Sequence, residues 1–556
     1  MNQIVLWTSV AAGAISAGRW LRVAQREHYG IGRTSRFARR WWLLDWANRA
    51  CLIGAAAGVV LSGTYWWAPS ITAAAVVIGP QGLDLRGRTS PLAWTRRLAT
   101  LAATLALLWF VLVGAGLLAG LAGPVLAVLL FGMPLWVDVS LALLAPFEAV
   151  LSRRWVHRAQ QRLERIDPVR VAITGSYGKT TIKGYLRQLV EGTRSVVATP
   201  ASFNNTAGVC RSVNEHLALS TEVFIAEMGT FSPGEIAAMT RWVRPSVSIL
   251  ASIGPVHLER FGSLDRIVAA KAEIFATSRT AILNIDAYGL RAEADRLTAS
   301  GLRVIRCSTQ DSSADVTVLR ADETPDAKGI GPGTDHGAEA SFEGIVDEAT
   351  APRRITVFGR EVDTRPLGHA APGNVACAVA AASVLGVSDD DIARRLADLP
   401  TPEHRRTAAH SEGGVMVIDD TYNSNPAGAR AALGMLANTE AGRRVVVTPG
   451  MVELGRSQAH ENRLLGEHAA RIADDVLIVG RTNRTALLAG ATGWDDAAAR
   501  RATRGRGARS LVHDRSDARA TVRCVADREE AVRWVRAHLQ SGDAVLYEND
   551  LPDHYP

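Results

Sequence analysis

The segment with the clearest capacity for chemistry runs from Val171 to Thr181 and reads Val-Ala-Ile-Thr-Gly-Ser-Tyr-Gly-Lys-Thr-Thr. An apolar run that predicts a buried strand ends in a glycine loop, and the residues after the loop read as a helix start. Backbone N–H groups at such a strand-to-helix turn bind phosphates, and the helix N-terminus favours negative charge. Lys179 would reach the outer phosphates of a nucleotide, and the Thr180 hydroxyl would ligate Mg²⁺. The segment therefore predicts a nucleoside-triphosphate site.

The loop is a variant of the usual phosphate-loop pattern. That pattern places a glycine five residues before Gly178, where this chain has Ile173. The spacing Thr-Gly-x-x-Gly-Lys-Thr-Thr is more selective than a generic glycine loop. An ordinary glycine turn is the alternative, and the adjoining strand, lysine and two threonines argue against it.

Three further residues follow the loop in an order that favours a metal and nucleotide site. Glu227 ends a predicted strand, where a carboxylate can hold Mg²⁺ beside phosphates. His257 follows the next predicted strand, and Lys271 lies on a predicted helix. Taken singly, they could equally be a helix cap, a surface imidazole and an exposed lysine. Their occurrence together after a phosphate loop is what favours function.

The first 150 residues contain five apolar runs, at about 4–20, 50–66, 68–86, 99–121 and 124–147. A helix needs about 20 apolar residues to span a bilayer. The arginine-rich loops all fall on one side if the N-terminus is outside and residue 151 onward is inside. Eleven of the 14 tryptophans lie at or before Trp155, many near the ends of these runs, as in an interfacial aromatic belt. We therefore expect a multi-pass cell-membrane protein with about five helices and cytoplasmic catalytic domains.

Alternatives to that membrane reading are a buried soluble helical bundle and, for 4–20, a signal sequence. The latter would need a preceding basic region, which is lacking. The 50–86 pair could also be one broken helix. The net charge of +7 comes largely from arginines near these runs, so it points to a membrane and to no nucleic-acid partner. The five cysteines are scattered and predict neither a disulfide framework nor a zinc site.

The rest of the chain alternates short β-branched runs with Ala-, Leu- and Glu-rich segments, which is typical of parallel α/β sheets. The expected fold class is an α-helical membrane region over 1–150 followed by α/β. A P-loop, ATP-binding central domain with a mostly parallel sheet would occupy 151–402. A smaller doubly wound α/β domain would occupy 403–556, with strands at 415–418, 444–447, 476–479 and 544–547.

From about residue 165 the chain resembles the Mur ligase family, the ADP-forming amino-acid ligases of peptidoglycan synthesis, and in particular its D-alanyl-D-alanine-adding branch. The resemblance rests on ordered motifs beginning at Thr174, Phe203, Glu227, Gly254, Asn374, Asp419 and Met451, together with Lys271 and His460. Several ordered motifs over some 300 residues are far more specific than any one of them.

The resemblance implies a role for each matching residue. Residues implied to bind ATP are Gly175, Ser176, Tyr177, Gly178, Lys179, Thr180, Thr181, Asn374, Arg405 and Asp420. Asn374 matches an adenine-contacting asparagine, Arg405 an arginine at the domain hinge, and Asp420 a ribose-contacting aspartate. The implied metal ligands are Thr180, Glu227, His257 and Lys271, and the implied catalytic residues are Lys179, His257 and Lys271. Lys271 matches the family lysine that is carbamylated, which gives a carboxylate-like ligand for the second of two Mg²⁺ ions.

Four departures from the family pattern bear on the ligands. Apolar runs stand where the family has its nucleotide-sugar-binding domain. The adenine motif keeps only its first asparagine, in Gly373-Asn-Val-Ala-Cys377, and Pro449-Gly-Met451 replaces a usual Gly-Asp-Met. Tyr547-Glu-Asn-Asp-Leu-Pro-Asp553 replaces a Lys-Gly-Ser ending. The acidic ending suggests a different incoming or acceptor group.

We therefore expect a membrane-anchored, ATP-dependent amide ligase of cell-envelope precursor synthesis that works through an acyl phosphate. Its partners would be the lipid bilayer, an envelope acceptor, and an amino acid or dipeptide amine. A lipid-linked acceptor is favoured over a soluble nucleotide sugar. A poly-γ-glutamate-type synthetase and a nucleotide-binding scaffold without turnover remain alternatives, and a P-loop transporter lacks a second nucleotide-domain signature.

Overall fold

The computed structural model describes most of the 556-residue chain. The described residues are 3–43, 46–83, 92–200, 203–256, 258–320, 353–362, 371–396, 399, 407–411, 413–421, 425–495, 497–499, 510–511 and 520–549. The chain divides into two compact units, one reaching residue 153 and the other beginning at residue 154. Below they are called the helical unit and the α/β unit.

The helical unit contains α1 to α6 and the first part of α7. Their bounds are α1 Gln3–Arg26, α2 Arg33–Trp42, α3 Trp46–Leu61, α4 Ala68–Ile78, α5 Arg96–Leu118, α6 Ala122–Phe131 and α7 Met133–Ile166. Its core packs Trp20, Trp41, Leu101 and Met133 together. Large apolar side chains also cover its outside, including Phe110 at 79% exposure and Leu118 at 94%.

Among the described residues, the three helices α1, α5 and α7 are long and apolar enough to cross a membrane. The helices α2 and α3, which meet at a bend of 113°, form a fourth candidate. The expected run at 50–66 overlaps the shorter helix α3, and the described part of the run at 68–86 contains the shorter helix α4. Pro69 in the first turn of α4 starts a new helix there. The run at 124–147 is divided at Gly132, which follows α6. Five spans therefore stay a prediction.

Two polar contacts in the helical unit match helix dipoles. The Asp138 carboxylate of α7 accepts hydrogen bonds from the Ser35 amide at 2.8 Å and the Ser35 hydroxyl at 2.6 Å, in the first turn of α2. The Arg19 guanidinium donates to the Val76 and Gly79 carbonyls, both at 3.1 Å, at the end of α4. A negative charge at a helix start and a positive charge at a helix end are both stabilising.

The central part of the α/β unit is a nine-stranded sheet in the order β2-β3-β1-β4-β5-β6-β7-β8-β9. The strands are β1 Val169–Thr174, β2 Val196–Ala198, β3 Val223–Glu227, β4 Val247–Leu250, β5 Thr280–Asn284, β6 Arg303–Ser308, β7 Val316–Arg320, β8 Arg353–Val357 and β9 Arg360–Val362. From β2 to β7 all pairs are parallel, and β7, β8 and β9 pair antiparallel. The mostly parallel sheet is confirmed.

Helices cover both faces of this sheet. They are α8 Lys179–Val190, α9 Thr206–His216, α10 Glu235–Val243, α11 Leu258–Phe261, α12 Leu264–Ala272, α13 Leu290–Ala299, α14 Pro372–Val384 and α15 Asp389–Leu396. One face packs on α8 and α14, the other on α9, α10, α12 and the end of α7. Because the chain leaves β1 toward β2 on one side and later adds β4 on the other, the strand order reverses at β1. Ligands of open α/β sheets bind at such a reversal.

The C-terminal part is a seven-stranded sheet in the order β10-β11-β16-β12-β13-β15-β14. The strands are β10 Thr407–His410, β11 Met416–Asp420, β12 Arg444–Thr448, β13 Asp475–Val479, β14 Ser510–Leu511, β15 Thr521–Val525 and β16 Ala544–Glu548. The helices are α16 Pro426–Asn438, α17 Gln458–Ile472, α18 Arg484–Thr492 and α19 Arg528–His538. The inner five strands are parallel, with α16 to α18 on one face and α19 on the other. This arrangement matches the expected second doubly wound domain.

Candidate functional site

The nucleotide loop, defined here as residues 175–178, connects β1 to α8 at the strand reversal. Gly178 caps α8 with φ of 78°, and a Cβ there would lie 2.3 Å from the Asn374 Oδ1 atom. Only glycine fits this backbone comfortably. The structure thus brings Asn374, at the start of α14, against the loop that opens toward the α8 N-terminus. That N-terminus supplies the N–H groups and the dipole that a phosphate requires.

The loop after β4 holds the nucleotide loop in place. The Ser176 amide donates to the Ser252 carbonyl at 2.8 Å, and the Tyr177 amide donates to the Ser252 hydroxyl at 2.8 Å. The Ser176 hydroxyl accepts from the Gly254 amide at 3.0 Å. These bonds fix the backbone before any ligand arrives, so little ordering entropy is left to lose on binding.

Two lysines meet at one backbone carbonyl of the nucleotide loop. Lys179 Nζ donates to the Gly175 carbonyl oxygen at 2.8 Å, and Lys271 Nζ donates to the same oxygen at 3.1 Å. Burial, and then the Lys179 charge, hold the pKa of Lys271 well below its usual value. The lowered pKa favours the neutral amine of Lys271 over its ammonium form, because burial and a neighbouring cation both disfavour the charge.

Glu227, at the end of β3, is buried and receives three side-chain donors. Thr180 Oγ1 donates to its carboxylate at 2.9 Å and Asn204 Nδ2 at 3.2 Å. Lys183 Nζ forms a buried ion pair with it at 3.0 Å. Burial alone would raise the pKa of Glu227, but Lys183 and Lys179 outweigh it, so the pKa lies below its usual value. Glu227 is therefore an anion held within reach of the Thr180 hydroxyl.

The structure brings together the nucleotide loop, Lys179, Thr180, Glu227, Lys271 and Asn374. Asp420 lies in the C-terminal domain at the end of β11, where its carbonyl accepts from the Asn549 amide at 3.1 Å. His257 and Arg405 lie outside the described residues. Within the described ranges, no three His, Cys, Asp or Glu side chains converge on one point. A second metal would therefore depend on His257 or on a modified Lys271.

The residues present fit a magnesium–nucleotide complex. A hard cation takes oxygen ligands, which the Thr180 hydroxyl and the Glu227 carboxylate supply side by side. The adjacent Lys179 ammonium and the α8 N-terminus fit the phosphates that such a cation bridges.

Sequence reasoning missed two side chains of this site, Lys183 and Asn204. Lys183 lies one helical turn after Lys179 on α8, and that spacing was the available signal. Asn204 comes from a loop before α9, and its contact with Glu227 depends on Gly229, where a Cβ would lie 2.9 Å from the Asn204 amide carbon. Nothing local in the sequence indicates that long-range contact.

These features define a two-domain α/β enzyme with a phosphate-binding loop, and comparison with known proteins identifies the family. Residues 173–343 match the Mur ligase middle domain, and residues 404–547 match the Mur ligase glutamate ligase domain. A UDP-N-acetylmuramoyl-tripeptide–D-alanyl-D-alanine ligase of Mycobacterium tuberculosis is 33% identical over 397 residues, covering 68% of this chain and 69% of the relative. The Escherichia coli ligase of the same name is 29% identical over 338 residues, covering 58% and 67%.

Solved structures show the same fold. MurF from Acinetobacter baumannii superimposes with a TM-score of 0.55 at 24% identity, covering 72% of this chain and 78% of that one. MurF from Thermotoga maritima in complex with ADP gives 0.53 at 23% identity, covering 72% and 80%. The chain belongs to the Mur ligase family. It is an ATP-dependent carboxylate–amine ligase of the peptidoglycan-precursor type, and the helical unit lies outside the matched domains.

Proposed function

We propose that this chain is a membrane-anchored, ADP-forming ligase that activates the carboxylate of a cell-envelope precursor as an acyl phosphate. It then joins that acyl group to an amino acid or dipeptide amine. The observation that carries the proposal is the convergence of Lys179, Thr180, Glu227 and Lys271 around one phosphate-binding loop.

The proposed chemistry has two steps, because a carboxylate is a poor electrophile. An acceptor carboxylate oxygen attacks the γ-phosphorus of ATP, the bond to the β,γ-bridging oxygen breaks, and ADP leaves. The amine nitrogen then attacks the acyl carbon, the bond to the phosphate oxygen breaks, and inorganic phosphate leaves while the nitrogen loses a proton. Lys179 would offset charge on the transferring phosphoryl group. Bound Mg²⁺ supplies further charge neutralisation and in-line orientation of the phosphates.

The protonation state of Lys271 supports the proposal. Its amine is buried beside Lys179, and the lowered pKa favours the neutral form, whose lone pair attacks CO₂. The new C–N bond and the loss of one proton give a carbamate, which turns a cation into an anionic oxygen ligand. That ligand would hold the second of the two Mg²⁺ ions.

Membrane anchoring is supported by the surface of the helical unit. All large exposed apolar side chains among the described residues, except Leu219, Tyr288 and Phe358, lie between residues 4 and 155. Soluble proteins rarely expose apolar surface on this scale, and α1, α5 and α7 have the length and composition of spans. A ligase anchored in the membrane encounters lipid-linked acceptors by diffusion in the plane of the bilayer. We therefore favour an acceptor at or in the membrane.

The name of the relatives supplies the first substrates to try. Full-length protein with MgATP should release ADP and phosphate only when an acceptor such as UDP-N-acetylmuramoyl-tripeptide and an amine such as D-alanyl-D-alanine are both present. Lys271→Ala should abolish that release, and Arg266→Ala, an exposed residue on the same helix, should not. Equal activity of Lys271→Ala and the parent protein would refute the metal scheme. Lipid and nucleotide-sugar analysis of depleted cells would identify the acceptor that accumulates.

A further inference from the structure

Lys183 is a charged side chain of the site to which the proposed chemistry gives no task. It lies on α8, one helical turn after Lys179, and it is buried. Its ammonium donates to the Oε2 atom of Glu227 at 3.0 Å, and Glu227 is buried as well. A buried ion pair is weak evidence for a gain in stability, because both charges lose their hydration. The charge of Lys183 therefore needs a reason other than stability.

The oxygen that accepts from Lys183 is the one that faces the Thr180 hydroxyl. Thr180 Oγ1 donates to the same Glu227 Oε2 atom at 2.9 Å, whereas the other oxygen, Oε1, accepts from Asn204 Nδ2 at 3.2 Å. The Glu227 backbone N–H donates to Thr199 Oγ1 at 3.1 Å. A cation ligated by Thr180 and Glu227 would need a lone pair on Oε2. It would therefore compete with the Lys183 ammonium for that oxygen.

The charges around the nucleotide loop also disfavour a bare dication. Lys179 and Lys183 are two cations that face the single carboxylate of Glu227. Burial alone would raise the pKa of that carboxyl, and both lysines are close enough to lower it. Lys271 does not reverse the balance, since its amine adds no charge, its ammonium adds a positive charge, and a carbamate would only cancel the excess. Among the side chains that the structure describes here, the sum of charges is therefore not negative.

A nucleotide reverses that balance. The triphosphate of ATP brings several negative charges to the α8 N-terminus and to Lys179, and its oxygens hold Mg²⁺. The complex of ATP with Mg²⁺ is an anion as a whole, so the positive side chains attract it. The same side chains repel a Mg²⁺ ion that arrives without phosphates.

We propose that Lys183 is a positioning residue that makes metal binding at Glu227 depend on the nucleotide. It fixes the carboxylate beside Thr180, and its charge keeps a bare divalent cation from binding there, so the metal enters together with the phosphates. This inference rests on the proposed function, to whose metal–nucleotide site it adds an order of binding. An ion pair with a merely structural role would not give a gain of metal binding when the lysine is removed.

Equilibrium dialysis of the full-length protein against radioactive Mn²⁺, with and without ADP, measures bound metal without turnover. The parent protein should bind Mn²⁺ with ADP, and at least about tenfold more weakly without it. Lys183→Met should bind Mn²⁺ alone at least about tenfold more tightly than the parent does, because the competing ammonium is gone. Lys183→Arg keeps the charge and should behave as the parent does.

Two further variants locate the effect. Lys183→Met combined with Glu227→Gln should lose the gained binding, because Glu227 supplies the ligand oxygen. Arg187→Met, which breaks an exposed ion pair with Glu191 at 3.3 Å on the same helix, should leave Mn²⁺ binding unchanged with or without ADP.

A second measurement covers the expected loss of stability in Lys183→Met. A ligand that binds only the folded state raises the midpoint of thermal unfolding. Mn²⁺ alone should therefore raise the midpoint of Lys183→Met more than that of the parent. If Lys183→Met does not fold, Lys183→Gln takes its place, since it keeps a hydrogen-bond donor and lacks the charge.

The outcomes separate this inference from the proposed function. Binding of Mn²⁺ to the parent as tightly without ADP as with it, or no gain of binding in Lys183→Met and Lys183→Gln, would overturn the role of Lys183 and leave the ligase reaction in place. Failure of the parent to bind Mn²⁺ even with ADP would contradict the metal–nucleotide site, and with it the proposed function.

Discussion

The two units of this chain put their apolar side chains in opposite places. In the α/β unit, buried strands such as β3 and β4 carry the apolar residues and helices cover both faces. In the helical unit, a core around Trp20 and Leu101 coexists with an outside that carries Leu107 at 63% and Leu118 at 94% exposure. Since burial of apolar area is the main force for folding in water, the two surfaces are suited to different solvents. The comparison places the ligase chemistry in the α/β unit and supports the proposal that the helical unit anchors it in a membrane.

The largest expected effect separates the units by activity. Lys179→Met removes the cation that faces the transferring phosphoryl group, so ADP formation should fall about 10³-fold or more. Arg96→Met in the helical unit breaks the exposed ion pair with Glu148 at 3.1 Å and should leave the rate unchanged. Steady-state ADP release in detergent measures both variants. Comparable losses would mean that the helical unit takes part in the chemistry.

The next effect concerns stability within the α/β unit. Lys183→Met leaves the Glu227 carboxylate buried without its ion pair, which should lower the free energy of unfolding by about 3–5 kcal/mol in metal-free buffer. The double variant Lys183→Met with Glu227→Gln should recover most of this loss, because no buried charge is then left uncompensated. Arg187→Met, which breaks an exposed pair on the same helix, should change it by less than about 1 kcal/mol. Denaturant titration measures all three, and a Lys183→Met loss no larger than that of Arg187→Met would contradict the account.

A third prediction tests whether each surface faces lipid or water, by introducing the same substitution on both. Leu107 lies at the middle of α5 and Leu219 lies in a loop of the α/β unit at 74% exposure. Leu107→Asp should oppose membrane integration by about 2.5–3.5 kcal/mol, and Leu219→Asp should have no effect on it. The measurement is the fraction of protein that stays with membranes after alkaline extraction. Equal retention of the two variants would argue that α5 does not face lipid.

The smallest effect is a pH dependence in the loop after β6. The Ser313 hydroxyl, at 2.6 Å, and the Arg291 guanidinium, at 2.8 Å, lower the pKa of Asp311. Because the folded pKa lies below the unfolded one, the stabilisation is complete above pH about 4 and is lost as the pH falls through the folded value. Asp311→Asn should cost about 0.2–1 kcal/mol at neutral pH, since the pair is partly exposed. Unfolding free energies across the acid range should show the two proteins converge; a constant difference would contradict the assignment.

Sequence patterns predicted the α/β unit well because its signals are local. The strands at 223–226 and 247–251 are continuous apolar runs between turns, and they appear as β3 and β4. The nucleotide loop was likewise readable from the spacing of Gly175, Gly178 and Lys179. The strand β15 was not predicted. The antiparallel strands at the edges of the two sheets were not predicted either, because the pairing of strands depends on contacts between segments that are distant in sequence.

The helix boundaries of the helical unit were harder to predict, because apolar composition says little about where a helix ends. The run at 124–147 looks continuous, yet Gly132 separates α6 from α7. In the site, the contacts of Lys183 and Asn204 with Glu227 join residues far apart in sequence. Such contacts follow from the parallel arrangement of β1 and β3, which only the folded sheet provides.

The most direct test of the central claim follows one oxygen atom. Full-length protein is given MgATP, D-alanyl-D-alanine and UDP-N-acetylmuramoyl-tripeptide labelled with ¹⁸O in its terminal carboxylate. Activation as an acyl phosphate predicts ADP and inorganic phosphate that carries one ¹⁸O from the carboxylate. Unlabelled phosphate, or AMP carrying the label, would contradict it.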